Sequence, residues 1–198
     1  AYDDLAPPGQ IARLACMAHA RRKFEQAKDN DKVRAEHMLT KIQQLYKIER
    51  TAKEDQLDFA AIKALRQRDA APILEEIEKW LKEELTEVLP KSAISQAIAY
   101  TLNLWSRLKD YVKDGRFQID NNLIENTIRP VALGRKNYLF AGSHEAAQRA
   151  AMVYSLIGTC KLQNIEPFQW LKKTIEKLPT HPINRIAELI PTSQNQNL

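Results

Sequence analysis

Apolar residues recur every three to four positions through most of this chain, a period that buries a single face only when the backbone is helical. Ala35, Leu39, Ile42 and Tyr46 make one such stripe, with Lys41, Gln43, Gln44 and Lys47 on the other side. A second helix is expected from about Asp58, carrying Phe59, Ile62 and Leu65. A third opens at Pro72, a favoured first-turn residue, and shows Leu74, Ile77, Leu81, Leu85 and Val88. A fourth follows Pro90 with Ile94, Ile98, Leu102, Trp105, Leu108 and Val112, and stops at Asp114-Gly115. These four stripes predict a small antiparallel bundle. Ser143 is placed to cap a helix with a small inner face (Ala146, Ala147, Ala150, Ala151), and Pro167 and Pro182 each begin another. The fold is therefore read as mainly α. One segment departs: Ile11 to Ala18 (IARLACMA), short and apolar apart from Arg13, reads as a buried strand. The Pro7-Pro8-Gly9 stretch reads as a loop, and the polar TSQNQNL tail as frayed.

Composition narrows the class. At 198 residues, 44% hydrophobic and 28% charged, the chain has the profile of a globular domain with a real core and not of a disordered or fibrous one. No apolar run approaches the ~20 residues of a membrane span, and no signal-peptide core opens the sequence, so no membrane partner is expected. Two cysteines, Cys16 and Cys160, make no disulfide framework, which favours a reducing cytoplasm. A net charge of +5 is compatible with nucleic-acid binding without requiring it. The first residue is Ala1, as expected either after methionine removal or where a chain begins partway through a larger protein.

The chemistry is concentrated in Ile119 to Ser143, IDNNLIENTIRPVALGRKNYLFAGS. Two carboxylates (Asp120, Glu125) sit among three amides (Asn121, Asn122, Asn126), just ahead of three cations (Arg129, Arg135, Lys136). Carboxylate and amide oxygens suit a hard cation such as Mg²⁺, and Arg and Lys suit phosphate. A purely structural account competes: Asn122 and Glu125 have the spacing of a capping box, and Glu125–Arg129 that of an i,i+4 pair. Spacing leaves both open. Asp120 and Glu125 are five apart, roughly 140° around a helix, so a regular helix cannot aim both at one metal. Gly134-Arg135-Lys136-Asn137-Tyr138 interleaves cations with aromatics in a manner that suits backbone and base contacts, and lacks the spacing of a P-loop.

Elsewhere, Cys16 and His19 form C-x-x-H, half of a zinc site with no second Cys/His pair at a matching distance; a positional role for His19 is the simpler reading. Arg21-Arg22-Lys23 suits either phosphate contact or a solvated helix start.

CMAHARRKF (Cys16 to Phe24), LPKSAISQAIAYTLNLW (Leu89 to Trp105), DGRFQIDNNLIENTIRPVALGRKNYLFAGS (Asp114 to Ser143) and HPINRIAELIP (His181 to Pro191) together resemble the insertion-sequence-66 family of bacterial DDE transposases. The resemblance implies a ribonuclease-H-like α/β core in which two Asp and one Glu hold Mg²⁺, with an inserted helical bundle and a C-terminal helical element. It places the Glu at Glu125. It further implies residues 1–23 as a core remnant, 24–114 as the insertion, 115–157 as the Glu-bearing segment and 158–198 as the C-terminal element. Arg129, Arg135, Lys136, Arg21 and Arg22 are then expected on DNA, with Asn122, Asn126 and His19 supporting the metal site. The implied partners are transposon ends and target DNA, within a homo-oligomeric transposition complex.

The departure from the family is at the front. Its second Asp belongs to an Asp-Gly-Tyr block of which Ala1-Tyr2 resembles the end; Asp3 and Asp4 fall too late to replace it. The chain is thus expected to correspond to the C-terminal portion of a transposase and to lack strand-transfer activity alone. The alternatives are a non-catalytic helical DNA-binding module and a decayed remnant.

Overall fold

The computed structural model describes residues 13–138 and 140–192, so the expected loop near Pro7 and the tail beyond Thr192 lie outside the described residues. The chain divides by packing into two units, Ala1–Leu123 and Ile124–Leu198. Helix dominates both, and no described residue belongs to a strand.

The first unit holds α1 (Met17–Gln26), α2 (Lys32–Glu54), α3 (Phe59–Leu65), α4 (Ala71–Glu87), α5 (Ala93–Asn103) and α6 (Trp105–Lys109), the last continued by a 3₁₀ turn over Asp110–Lys113. Its helix starts follow from capping side chains. Asp31 accepts from the Arg34 N–H at 3.0 Å, Asp58 from Ala61 at 2.8 Å and Ser92 from Ser95 at 3.2 Å. α1 packs on α2 and α5, and α4 packs on α5 and α2. The apolar stripes meet in one core that includes Met17, Phe24, Met38, Ile42, Leu45, Leu74, Ile77, Leu81, Ile94 and Ile98.

Three local expectations change. The strand over residues 11–18 is not formed across its described part: residues 13–16 are irregular and Met17 opens α1. Met17, Ala20 and Phe24 are its buried positions, a helical spacing that the short apolar run concealed. The helix expected from Pro90 to Asp114 breaks at Leu104. Just before the break, the buried Thr101 hydroxyl donates to the Ala97 carbonyl at 2.8 Å, a back-bond that bends helices. The Trp105 indole beyond it turns to donate to Glu78 at 2.7 Å. Finally, α3 and α4 are joined by a wide π turn, Arg66–Ala70, so that Pro72 lies in the first turn of α4 without any intervening loop.

That π turn carries Arg66, only 2% exposed. Two of its N–H groups reach the Glu49 carboxylate on α2, at 2.9 and 2.6 Å. Others donate to the carbonyls of Tyr111 (3.1 Å) and Asp114 (2.9 Å). A buried cation is tolerable only when so fully paired.

The second unit holds α7 (Asn122–Tyr138, most of it beyond the unit boundary), α8 (His144–Leu162), α9 (Pro167–Lys177) and two 3₁₀ turns, Leu178–Thr180 and Ile183–Leu189. Ser143 caps α8 as its position suggests, accepting from Ala146 at 3.1 Å. Pro167 does begin α9, with Glu166 as the cap, accepting from Gln169 at 2.6 Å. Buried hydrophobic residues are few among the described residues of this unit: Cys160, Trp170 and Leu189, with the Trp170 indole donating to the Leu189 carbonyl at 3.0 Å.

Two outcomes follow for the first unit. Arg66→Ala strands the Glu49 charge and two carbonyls, and is expected to lower the unfolding free energy by about 3–5 kcal/mol in urea titrations; a loss under about 1 kcal/mol, the range of an exposed pair, contradicts it. Glu78 accepts from Lys82, Trp105 and Lys109, which pull its carboxyl from 4.5 down to about 2. Its contribution is therefore present above about pH 4.5 and lost as pH falls towards about 2. Glu78→Gln should flatten the fall in stability over that window, measured by denaturation at stepped pH.

Candidate functional site

The route into α7 is fixed before the helix begins. Gly115 is buried against the start of α3, where a Cβ would stand 1.9 Å from the Phe59 carbonyl oxygen, so only glycine allows this approach. The Met17 N–H then donates to the Ile119 carbonyl at 3.0 Å, and the Asn121 N–H to the Cys16 sulfur at 3.4 Å. Asp120 follows, and its two oxygens take three hydrogen bonds. Oδ1 accepts from the Asn122 N–H (3.0 Å), and Oδ2 from the Asn122 side-chain amide (2.8 Å) and the Tyr46 hydroxyl (2.8 Å). Burial first, and then this carboxylate, raise the Tyr46 phenol well above its ordinary value, so the hydroxyl remains a donor.

Asp120 is committed to the start of α7. Asn122 is the first residue within that helix and donates its amide to Asp120, so it is not the cap of the expected capping box. Glu125 stands in the first turn of α7 and is exposed. A carboxylate is favoured there by the helix dipole with or without a ligand.

Along α7, Glu125, Arg129 and Lys136 fall within an arc of roughly 40°, Asn122 about 60° from Glu125 and Asn126 about 100° away. Arg129 and Lys136 are both exposed. Arg135 lies roughly 80° off that face, on the other side from the amides. It lines a cavity of about 470 Å³ between α7 and α8, with Ile128, Val131, Tyr138 and Tyr154. The expected group of cations is thus divided: two share the Glu125 face, and one turns towards apolar surface. Pro130 lies inside α7 and offers no N–H to the preceding turn.

The remaining candidates lie on α1. Arg21 and Arg22 are exposed, and Arg21 is 3.9 Å from Glu25. Arg21, Lys28, Arg50, Tyr46 and Asn122 line a groove of about 670 Å³ that also holds Glu25 and Glu36. His19 is half-buried in the first turn of α1, its backbone N–H donating to the Cys16 carbonyl at 3.1 Å. Its ring and the Cys16 thiol come within 4.8 Å, so the C-x-x-H does bring a soft ligand pair together. Sequence reasoning missed the bond from Tyr46 to Asp120. Tyr46 reads as one more member of an apolar stripe, and nothing local signals a bond to a residue 74 positions away.

Residues 1–149 match the Transposase IS66 family and residues 155–192 match the IS66 C-terminal element. The chain belongs to the IS66 transposase family. It is 34% identical over 189 residues to the uncharacterized protein y4hP of Sinorhizobium fredii, covering 89% of this chain and 34% of that protein. It is 32% identical over 183 residues to the uncharacterized protein y4jD of the same organism, covering 90% and 35%. A shorter match, 43% over 49 residues, is to the uncharacterized protein YuaK of Escherichia coli, covering 25% of this chain and 52% of that protein. The chain spans about a third of the length of the two Sinorhizobium relatives. No solved structure matches it. Among the described residues, no helix is long and apolar enough to cross a membrane.

Proposed function

We propose that this chain is the Glu-bearing part of a DNA transposase that cuts and joins the ends of an insertion sequence, with Glu125 as a carboxylate ligand of Mg²⁺. The observation that carries this reading is the grouping on α7: Glu125, in its first turn, is exposed on a face shared with the exposed Arg129 and Lys136.

The donor set fits the ion in part. Mg²⁺ takes hard oxygen ligands and commonly keeps water and substrate phosphate beside one or two carboxylates. Glu125 supplies one such carboxylate; the clamp of a two-metal displacement needs bridging ligands beyond it. Bound there, the ion would supply Lewis-acid activation of phosphoryl transfer, the reaction that frees a 3′-hydroxyl and joins it to target DNA. This chain's own residues would do the positioning. Arg129 and Lys136 pair phosphate oxygens along the Glu125 face, Arg135 holds the strand at its edge, and Arg21 and Arg22 meet the backbone from α1. Asn122 and Asn126, with His19, orient their neighbours around the site. In this reading residues 1–23 are a remnant of a ribonuclease-H-like core, 24–114 its helical insertion, 115–157 the Glu-bearing segment of the core and 158–198 the C-terminal element; the assembly is homo-oligomeric, and the protein works in the cytoplasm.

The test uses a full-length family transposase carrying this segment. Glu125→Gln should lower strand joining more than about a hundredfold, since even residues that only orient a metal ligand cost up to that much. DNA affinity should stay within about twofold, while Arg129→Ala/Lys136→Ala lowers the salt dependence of binding by about one unit of slope for each phosphate partner removed. Normal joining by the Gln variant would falsify the metal role and leave a non-catalytic DNA-binding module.

A further inference from the structure

We propose that Tyr46 is a positioning residue for the transposase reaction: through Asp120, its hydroxyl fixes the first residue of the helix that carries Glu125. The inference rests on the Glu125 reading and adds a residue from a different helix to it.

A short relay of hydrogen bonds runs from the core of the first unit to the start of α7. Tyr46 lies on α2, a helix of 23 residues held on both α1 and α4. Its ring packs against the core of the first unit, so the phenol is delivered from a rigid support. The hydroxyl donates at 2.8 Å to Asp120 Oδ2, and the other carboxylate oxygen receives the Asn122 N–H at 3.0 Å. Asn122 adds a second bond from its side chain at 2.8 Å. Asn122 is therefore held twice by Asp120, and Asp120 is held from across the unit by Tyr46. Glu125 follows three residues later within the same first turn.

The hydroxyl is not needed for packing. Phenylalanine would fill the core equally well, and all that it lacks is the donor to Asp120. That bond is charge-assisted, which makes it stronger and more directional than a neutral one. Released from it, the half-buried Asp120 side chain is free to turn to water, and the start of α7 loses its fixed origin. Catalysis by metal-held carboxylates is sensitive to displacements of this kind, because a ligand about 1 Å out of place costs about a hundredfold.

Two measurements test the proposal together. In this chain, Tyr46→Phe should accelerate water exchange of the Asn122 amide about fivefold or more, the equivalent of one hydrogen bond removed. Amides of α1 and α5 should stay within about twofold, showing that the fold is kept. In a full-length family transposase carrying the segment, Tyr46→Phe should lower kcat about tenfold or more at unchanged DNA affinity. Asp120→Ala should do the same, and the double variant should be no slower than Asp120→Ala alone, because both act through one relay. Unchanged exchange at Asn122 overturns the proposal. So does faster exchange with unchanged kcat, and so do additive losses in the double variant. If Glu125→Gln proves fully active, the metal reading itself has failed; if Glu125→Gln is dead and Tyr46→Phe is normal, only the positioning role has.

Discussion

The buried guanidinium of Arg66 is the interaction on which the rest of the first unit depends. It binds Glu49 on α2 through two N–H groups, gives others to the carbonyls of Tyr111 and Asp114, and lies over the Tyr111 ring at 5.1 Å. One side chain thereby joins a helix, a π turn and the irregular run that leads towards α7. Desolvating a cation is costly, and only this complete set of partners makes it tolerable. The consequences are sequential. With Asp114 held, Gly115 meets Phe59, Ile119 accepts from Met17, and Asp120 arrives within reach of Tyr46. The origin of the Glu125 helix is thus the end of a line of polar fasteners that starts in the core.

The two units differ in how they are held. The first has a contiguous core built from five of its helices. In the second, α7 has no buried residue, and Ile124, Ile128, Leu133, Phe140, Met152, Val153, Phe168 and Ile175 are all more than half exposed. Exposed apolar surface on this scale is uncommon on a self-sufficient domain.

Much of the helical architecture was legible in the sequence, because a period of three to four and a capping side chain are local signals. Asp58, Ser143 and Pro167 mark their helix starts correctly. The misreadings have physical causes. IARLACMA is too short for its period to separate helix from strand, and Ala15 and Met17 make single hydrogen bonds to Arg107 and Ile119 in place of a ladder. The break at Leu104 depends on a hydroxyl back-bond, and the π turn on a tertiary ion pair; neither alters the apolar spacing. Composition singles out Glu125, Arg129 and Lys136, and the three do share a face of α7. Composition could not show that Asp120 is tied down by three hydrogen bonds at the start of α7. Nor could it show that the Tyr46 hydroxyl reaches Asp120 from α2.

The central claim is that the first turn of α7 offers its carboxylate to a hard divalent cation. Paramagnetic broadening of backbone amides, on titrating Mn²⁺ into the isotopically labelled chain, reads this directly. The account predicts broadening centred on the residues around Glu125, competed by Mg²⁺ and absent from the chain carrying glutamine at that position. Broadening centred elsewhere, or undiminished by that substitution, would contradict it.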